Sequence, residues 1–275
     1  MANIAMLGYG TIGSGVVELL YSNKDRFVKG MQCEDALKAA QELGFAEADP
    51  SSDVLGLDAA RKLSILSTLA FRKKVDWKAI DVKDINDIDS DDFRFANRKG
   101  YSIKLLAIGK MIGNSVYASV APVMVRAESQ LGGIHNEYNA VLVEGDAVGD
   151  VMFSGKGAGM MPTASAIFGG IADIIQNRKE NPMNFDFEAA DMQNLWEKES
   201  RWFLRVRSGN RIEVMKKLSA AFSGCNILAG EFGAEGDEVA AFVKAKDEAQ
   251  VDRCMADMKM GMLLRSFKKI MVMEV

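Results

Sequence analysis

Histidine is almost missing from this chain: His135 stands alone among 275 residues. That nearly excludes a Ser-His-Asp triad and a multi-histidine metal site, and no metal is expected. His135 falls in the turn-like run Gly132–Asn136 and reads as an ordinary loop residue. Cysteine is scarce as well. Cys33, Cys225 and Cys254 are odd in number, widely spaced and form no CxxC pair, which argues against a disulfide framework or zinc site and fits a reduced cytoplasm. Apolar runs stop far short of the roughly 18 residues of a membrane span, the longest lying around Leu63–Phe71. The first residues, Met1–Leu7, lack the basic region and apolar length of a secretory signal. Dense basic tracts are missing too, and 34 Lys and Arg against 38 Asp and Glu give a net charge of −4, so neither nucleic acid nor membrane is an expected partner.

What is present, 48% hydrophobic and 26% charged residues, describes a globular chain long enough for two domains with room for a small third. Residues 3–7 read as a short buried strand. Gly8-Tyr9-Gly10-Thr11-Ile12-Gly13 follows at once and leads into the helical pattern Val16, Val17, Leu19, Leu20. A bare GxGxxG is weak, but strand, glycine turn and helix in succession form the dinucleotide-binding arrangement. Gly8 permits the tight turn, Gly10 lets a pyrophosphate approach the backbone, and Gly13 lets helix pack on strand. A purely structural glycine turn is the alternative. The acidic residue expected about 20 residues later, at the end of a second parallel strand, has no clear occupant. Glu34 has nearly that spacing but reads as a first-turn helix carboxylate.

In the segment Gln41–Leu63, Gly44 ends one helix and Asp49-Pro50-Ser51 is turn chemistry. A second helix is expected from about Asp53 through Leu69, with Asp53 as N-cap. Asp58 and Lys62 are four apart on one face of it, with Leu55, Leu66 and Leu69 as expected core neighbours. By spacing alone this is a capped helix with an exposed ion pair. The chemical alternative is a lysine, held by a carboxylate beside an alcohol, that moves the hydroxyl proton while hydride leaves carbon for a nicotinamide. Glu47 could then bind a substrate ammonium.

These residues resemble the signature segment of the homoserine dehydrogenases, above all Ala46-Glu47-Ala48-Asp49-Pro50 and Gly56-Leu57-Asp58-Ala59-Ala60-Arg61-Lys62. The resemblance implies that Lys62 and Asp58 are catalytic, as proton carrier and its partner. It makes Glu47 and Asp53 substrate-binding, and Gly8, Gly10, Thr11, Ile12 and Gly13 contacts for NADP or NAD. Further matches are Tyr101–Ala107 and Val116–Val125, strand-like like Asn139–Val143, and Gly155–Ala166. In the family the glycine loop Gly155–Gly159 closes over nicotinamide and substrate, with Gly159 at a cofactor position, before the helix Ser165–Gln176.

The tail reads strand Trp202–Arg207, helix Ile212–Phe222, strand Asn226–Phe232, strand Glu238–Lys244, helix Glu248–Met258, strand Phe267–Glu274. This βαββαβ order is the ferredoxin-like plan and resembles an ACT regulatory module. Its Gly209–Glu213 loop is a poor match to an effector-binding loop, so a plain dimerising module fits equally well. Met255–Met262 reads as pliable core packing.

The expected fold class is α/β: an incomplete Rossmann-type element at 1–30, completed by 155–180; an α+β substrate and catalytic domain with mixed sheet at 31–154; and a ferredoxin-like, ACT-like domain at 197–275. A lone strand between helices leaves backbone groups unpaired, so association or partial disorder is expected at 1–30. The resemblance skips an interior block that in relatives holds the remaining nucleotide-binding strands, an Asn-Gly-Thr loop, a cation site and a second lysine. Ser22-Asn23-Lys24 repeats that lysine's motif but lies where a helix end would fray. The expected function is NAD(P)-dependent interconversion of aspartate 4-semialdehyde and homoserine, in threonine, methionine and isoleucine biosynthesis. The expected assembly is a homodimer or higher homo-oligomer. The competing expectation is an internally deleted homologue that only binds or dimerises.

Overall fold

The computed structural model describes residues 51–135, 138–157, 160–176, 187–195, 199–228 and 237–274. The chain divides into two compact units, one of Met1–Pro122 with Ala127–Asn194 and one of Val123–Arg126 with Leu195–Val275.

In the first unit a short helix α1 (Ser51–Val54) is followed by α2 (Leu57–Phe71), a 3₁₀ turn at Trp77–Ala79, β1 (Asp81–Val82) and α3 (Ser90–Arg98). Two long strands come next, β2 (Tyr101–Ile112) and β3 (Ser115–Arg126), joined by a tight turn with Gly113 at φ 62°. Then come β4 (Tyr138–Gly145), β5 (Gly149–Lys156), α4 (Met160–Ile175) and β6 (Asp191–Gln193). β2 pairs with β3, while β1 and β6 run parallel to successive stretches of β3. Strands β4 and β5 form their own antiparallel ladder, from Tyr138 opposite Lys156 to Gly145 opposite Gly149.

Alternation decides which side chains of the sheet meet α2. Leu105 and Ala107 of β2 and Val116, Ala118 and Val120 of β3 share one buried cluster with Ala59, Ala60, Leu63 and Phe71 of α2. The helix comes close because Gly109 has no side chain: a Cβ there would meet Ser67 Oγ at 2.6 Å and Leu63 Cδ1 at 3.2 Å. α3 carries a reciprocal cap, Asp89 accepting from the Asp92 backbone and Asp92 from that of Asp89.

The second unit has β7 (Ser200–Arg207), α5 (Arg211–Ala221), β8 (Asn226–Ile227), β9 (Glu238–Ala245), α6 (Glu248–Met260) and β10 (Ser266–Met273). The βαββαβ order matches the sequence reading. The sheet runs β10-β7-β9-β8, all antiparallel, and Val123–Val125 at the end of β3 adds a parallel edge to β10. Trp202, Leu204, Val206, Val239, Ala241 and Val243 meet Val214, Leu218, Val251, Met255 and Met258 of the two helices in one core. Asn210 and Asp247 cap those helices by accepting backbone N–H groups of Glu213 and Gln250.

Several expectations need correction. The helix expected from Asp53 is broken: Asp53 lies inside α1, and α2 starts after Gly56, whose φ of 73° only glycine adopts freely. Asp53 is therefore not the cap of the helix that carries Asp58 and Lys62. Leu55 is exposed, because the break turns it outward, while Leu63 takes the central core position. Residues 155 and 156 belong to strand β5 rather than a loop, and the following helix starts at Met160 instead of Ser165. Only Met255 and Met258 of the methionine-rich stretch are core; Met260 and Met262 are 77% and 92% exposed at the helix end. The expectations for residues 1–50, including the glycine fingerprint, Glu34, Glu47 and Ser22–Lys24, fall outside the described residues.

Candidate active site

Helix α2 displays its chemistry on the face turned away from the sheet. Leu63, Ser67 and Phe71 face inward and are buried, so Asp58 and Lys62, four apart, fall together on the outer side. Lys62 Nζ lies 2.8 Å from Asp58 Oδ2, with the side chains 51% and 33% exposed. Both groups can therefore meet a ligand arriving from solvent. The pair predicted from the sequence is formed.

The start of α2 is fixed from two directions. A Cβ on Gly56 would stand 2.9 Å from Val82 Cγ1 and 3.2 Å from Val120 Cγ1, so the first turn presses directly on β1 and β3. Arg61 Nη1 donates to Ser52 Oγ at 2.9 Å, tying α2 back to α1, and its guanidinium lies 4.9 Å from the centre of the Trp77 ring. Arg61 is thus engaged in holding structure, and Lys62 is the neighbouring cation coupled to a carboxylate. Asp53 is placed one short helix earlier, where its carbonyl accepts the Gly56 N–H at 3.0 Å.

The end of β5 supplies a second element. Gly157 leaves the strand so close to Asn139 of β4 that a Cβ would lie 1.8 Å from Asn139 Nδ2. Asn139 Oδ1 is buried and accepts no hydrogen bond. Asn139 and Val141 point to the same face of β4, and Val141 packs on the cluster beneath α2. Neither Asn139 nor its contact with Gly157 was legible in the sequence, since only the hairpin register brings them together. Gly159 and Glu47 lie outside the described residues, as do Gly8, Gly10, Thr11, Ile12 and Gly13.

His135 is an exposed loop residue, and beside it the Ile134 carbonyl accepts from the buried Lys104 ammonium. Among the described residues there is no group of three or more His, Cys, Asp or Glu suited to a metal ion, and no helix long and apolar enough to cross a membrane.

Comparison with known proteins gives one answer. The homoserine dehydrogenase family model matches residues 10–175. Homoserine dehydrogenase of Bacillus subtilis is 39% identical over 194 residues, which is 69% of this chain and 45% of that protein. The Helicobacter pylori enzyme is 39% identical over 191 residues, 68% of this chain and 45% of its own length. Among solved structures, a homoserine dehydrogenase from Thiobacillus denitrificans superimposes with a TM-score of 0.78 at 27% identity, covering 99% of this chain and 65% of that one. The Staphylococcus aureus enzyme at pH 6.0 gives 0.75 at 28% identity, covering 100% and 66%. The matches to these curated relatives span less than half of their length, and the structural matches about two thirds. A family match over residues 10–175, with the Asp58–Lys62 pair formed inside it, places the chain in the homoserine dehydrogenase family.

Proposed function

We propose that this chain is an oxidoreductase acting on the hydroxyl of homoserine and the aldehyde of aspartate 4-semialdehyde, with Lys62 as proton carrier. The Asp58–Lys62 contact on an exposed helix face is the observation that carries the reading. When the aldehyde is reduced, the Lys62 ammonium donates a proton to the carbonyl oxygen; in the reverse direction its free amine takes the proton from the hydroxyl. Asp58 holds the lysine nitrogen in one place and balances its charge. Glu47 and Asp53 are proposed to bind the substrate.

NADP or NAD supplies and accepts the hydride when bound. The proposed contacts are Gly8, Gly10, Thr11, Ile12, Gly13 and Gly159. What supports such a group at the end of β5 is Gly157, which carries no side chain where the Asn139 carboxamide lies, and Asn139 Oδ1, a buried acceptor without a donor. We further read the tail as a ferredoxin-like, ACT-like module that joins subunits into a homodimer or larger homo-oligomer. The proposed domain division is a partial nucleotide-binding element at 1–30 completed by 155–180, a catalytic domain at 31–154 and the module at 197–275. The proposed setting is cytoplasmic amino-acid biosynthesis leading to threonine, methionine and isoleucine.

Calorimetric titration with NADPH and NADH, followed by homoserine oxidation read at 340 nm, tests the proposal. Saturable binding and turnover support it. Absence of both at millimolar cofactor leaves the chain a folded homologue without the activity.

A further inference from the structure

We propose that Asn139 is a positioning residue for the end of β5 and that its Oδ1 is kept as the acceptor for an N–H donor of the bound ligand. The proposal rests on the homoserine dehydrogenase reading given above.

The register comes first. Asn139 stands opposite Gly155 in the β4–β5 ladder, so their neighbours at steps of two, Gly157 included, share its face. The carboxamide occupies the volume that a side chain at 157 would need: Nδ2 lies 1.8 Å, Cγ 2.2 Å and Oδ1 2.7 Å from the place of a Cβ. With glycine at 157 the carboxamide keeps this place, a side chain there would displace it, and the amide acts as a stop against which the chain leaves the strand.

The second observation concerns polarity. Oδ1 is buried and without a partner, and an orphaned buried acceptor is costly unless something fills it. Packing does not demand a polar residue at this position: the next residue on that face is Val141, which joins the apolar cluster under α2. An asparagine that touches Gly157 at the end of β5 and leaves one buried acceptor empty is suited to a ligand. Two donors share the required chemistry, the ammonium of an amino-acid substrate and the carboxamide N–H of a nicotinamide.

The test uses the full chain with Asn139→Leu, which keeps the branched shape and removes the acceptor, Asn139→Asp, which keeps an acceptor, Gly157→Ala, and the double variant Asn139→Ala with Gly157→Ala. Affinities for L-homoserine and for NADP⁺ are measured separately by calorimetry, and backbone amide exchange is followed over 149–157 by mass spectrometry. Asn139→Leu is expected to weaken one of the two ligands about tenfold, the loss of one hydrogen bond, and to leave the other unchanged, which identifies the donor. Asn139→Asp should stay within a few-fold of the parent chain for that ligand. Gly157→Ala should speed exchange over 149–157 about tenfold or more, and the double variant should restore protection without restoring affinity. Unchanged affinity for both ligands in Asn139→Leu overturns the acceptor role, and unchanged exchange in Gly157→Ala overturns the positioning role. Failure of the parent chain to bind either ligand overturns the dehydrogenase reading and the acceptor role together, while the exchange measurements still decide positioning.

Discussion

Lys62 Nζ sits 2.8 Å from Asp58 Oδ2, one helical turn earlier on α2. The pair is half in solvent, where such a contact contributes only about 0.2–0.5 kcal/mol to stability. The proposed function gives the pair its role at a ligand. Lys62→Ala is expected to lower kcat at least about 100-fold, the ordinary worth of a positioned acid/base group. Cofactor affinity and the urea midpoint should stay near those of the parent chain. Unchanged turnover would remove Lys62 from the proton path.

Gly56 joins two demands that no other residue meets, a φ of 73° and contact with β1 and β3. Gly56→Ala should cost roughly 1–3 kcal/mol from the backbone conformation alone, with the Val82 and Val120 contacts adding to it. Urea unfolding gives the number. A loss below about 0.5 kcal/mol would mean that the first turn of α2 is free to move.

The break at Gly56 also separates two leucines that look alike in sequence. Leu63 is fully buried and Leu55 is 40% exposed. Leu63→Ala should destabilise by about 2–5 kcal/mol, whereas Leu55→Ala should fall within about 0.5 kcal/mol of the parent. Equal effects would restore the unbroken helix that the sequence suggested.

In the second unit Glu238 is buried and accepts from Arg205 Nε at 3.1 Å and from Arg207 Nε at 2.7 Å. Burial pushes its carboxyl up, but the Arg207 hydrogen bond and the Arg205 charge and hydrogen bond outweigh that, and the net direction is down. A carboxyl lowered in the folded state holds fewer protons there than in the unfolded chain. Its stabilisation is fully present above the unfolded value of about 4.3 and disappears as pH falls through the folded value. Glu238→Gln should lose about 3 kcal/mol or more at pH 7. The variant's urea midpoint should then fall less steeply than the parent's below about pH 4.5. Parallel pH profiles would show that the trio does not govern acid stability.

The tail was the most legible part of the sequence. The short apolar runs in 200–207 and 238–245 mark strands, which are buried at most positions, and polar capping residues mark both helices. The Asp58–Lys62 contact was legible too, because i and i+4 coincide on any helix. The start of α2 was not: Asp53-Val54-Leu55 carries a good capping signal, and the left-handed turn at Gly56 that overrides it depends on packing against Val82 and Val120. Strand β5 was hidden because it is mostly exposed and rich in glycine, so it lacks the apolar alternation that betrays a half-buried strand. Asn139 was silent for a related reason, since its contact with Gly157 arises only from the register of the hairpin.

Residues 123–126 group with a body whose other members begin at position 195, and Val123, Met124 and Val125 are wholly buried alongside Met271–Met273. Arg126 also holds Glu274 at 2.7 Å. A fragment cut from the gene at codon 195 would thus strip β10 of a bonded flank and bare a hydrophobic edge, inviting foreign strands to take the vacated rung. Truncation studies of this region need the four-residue insert grafted back, since the cooperative folding body and the linear reading frame do not share a boundary.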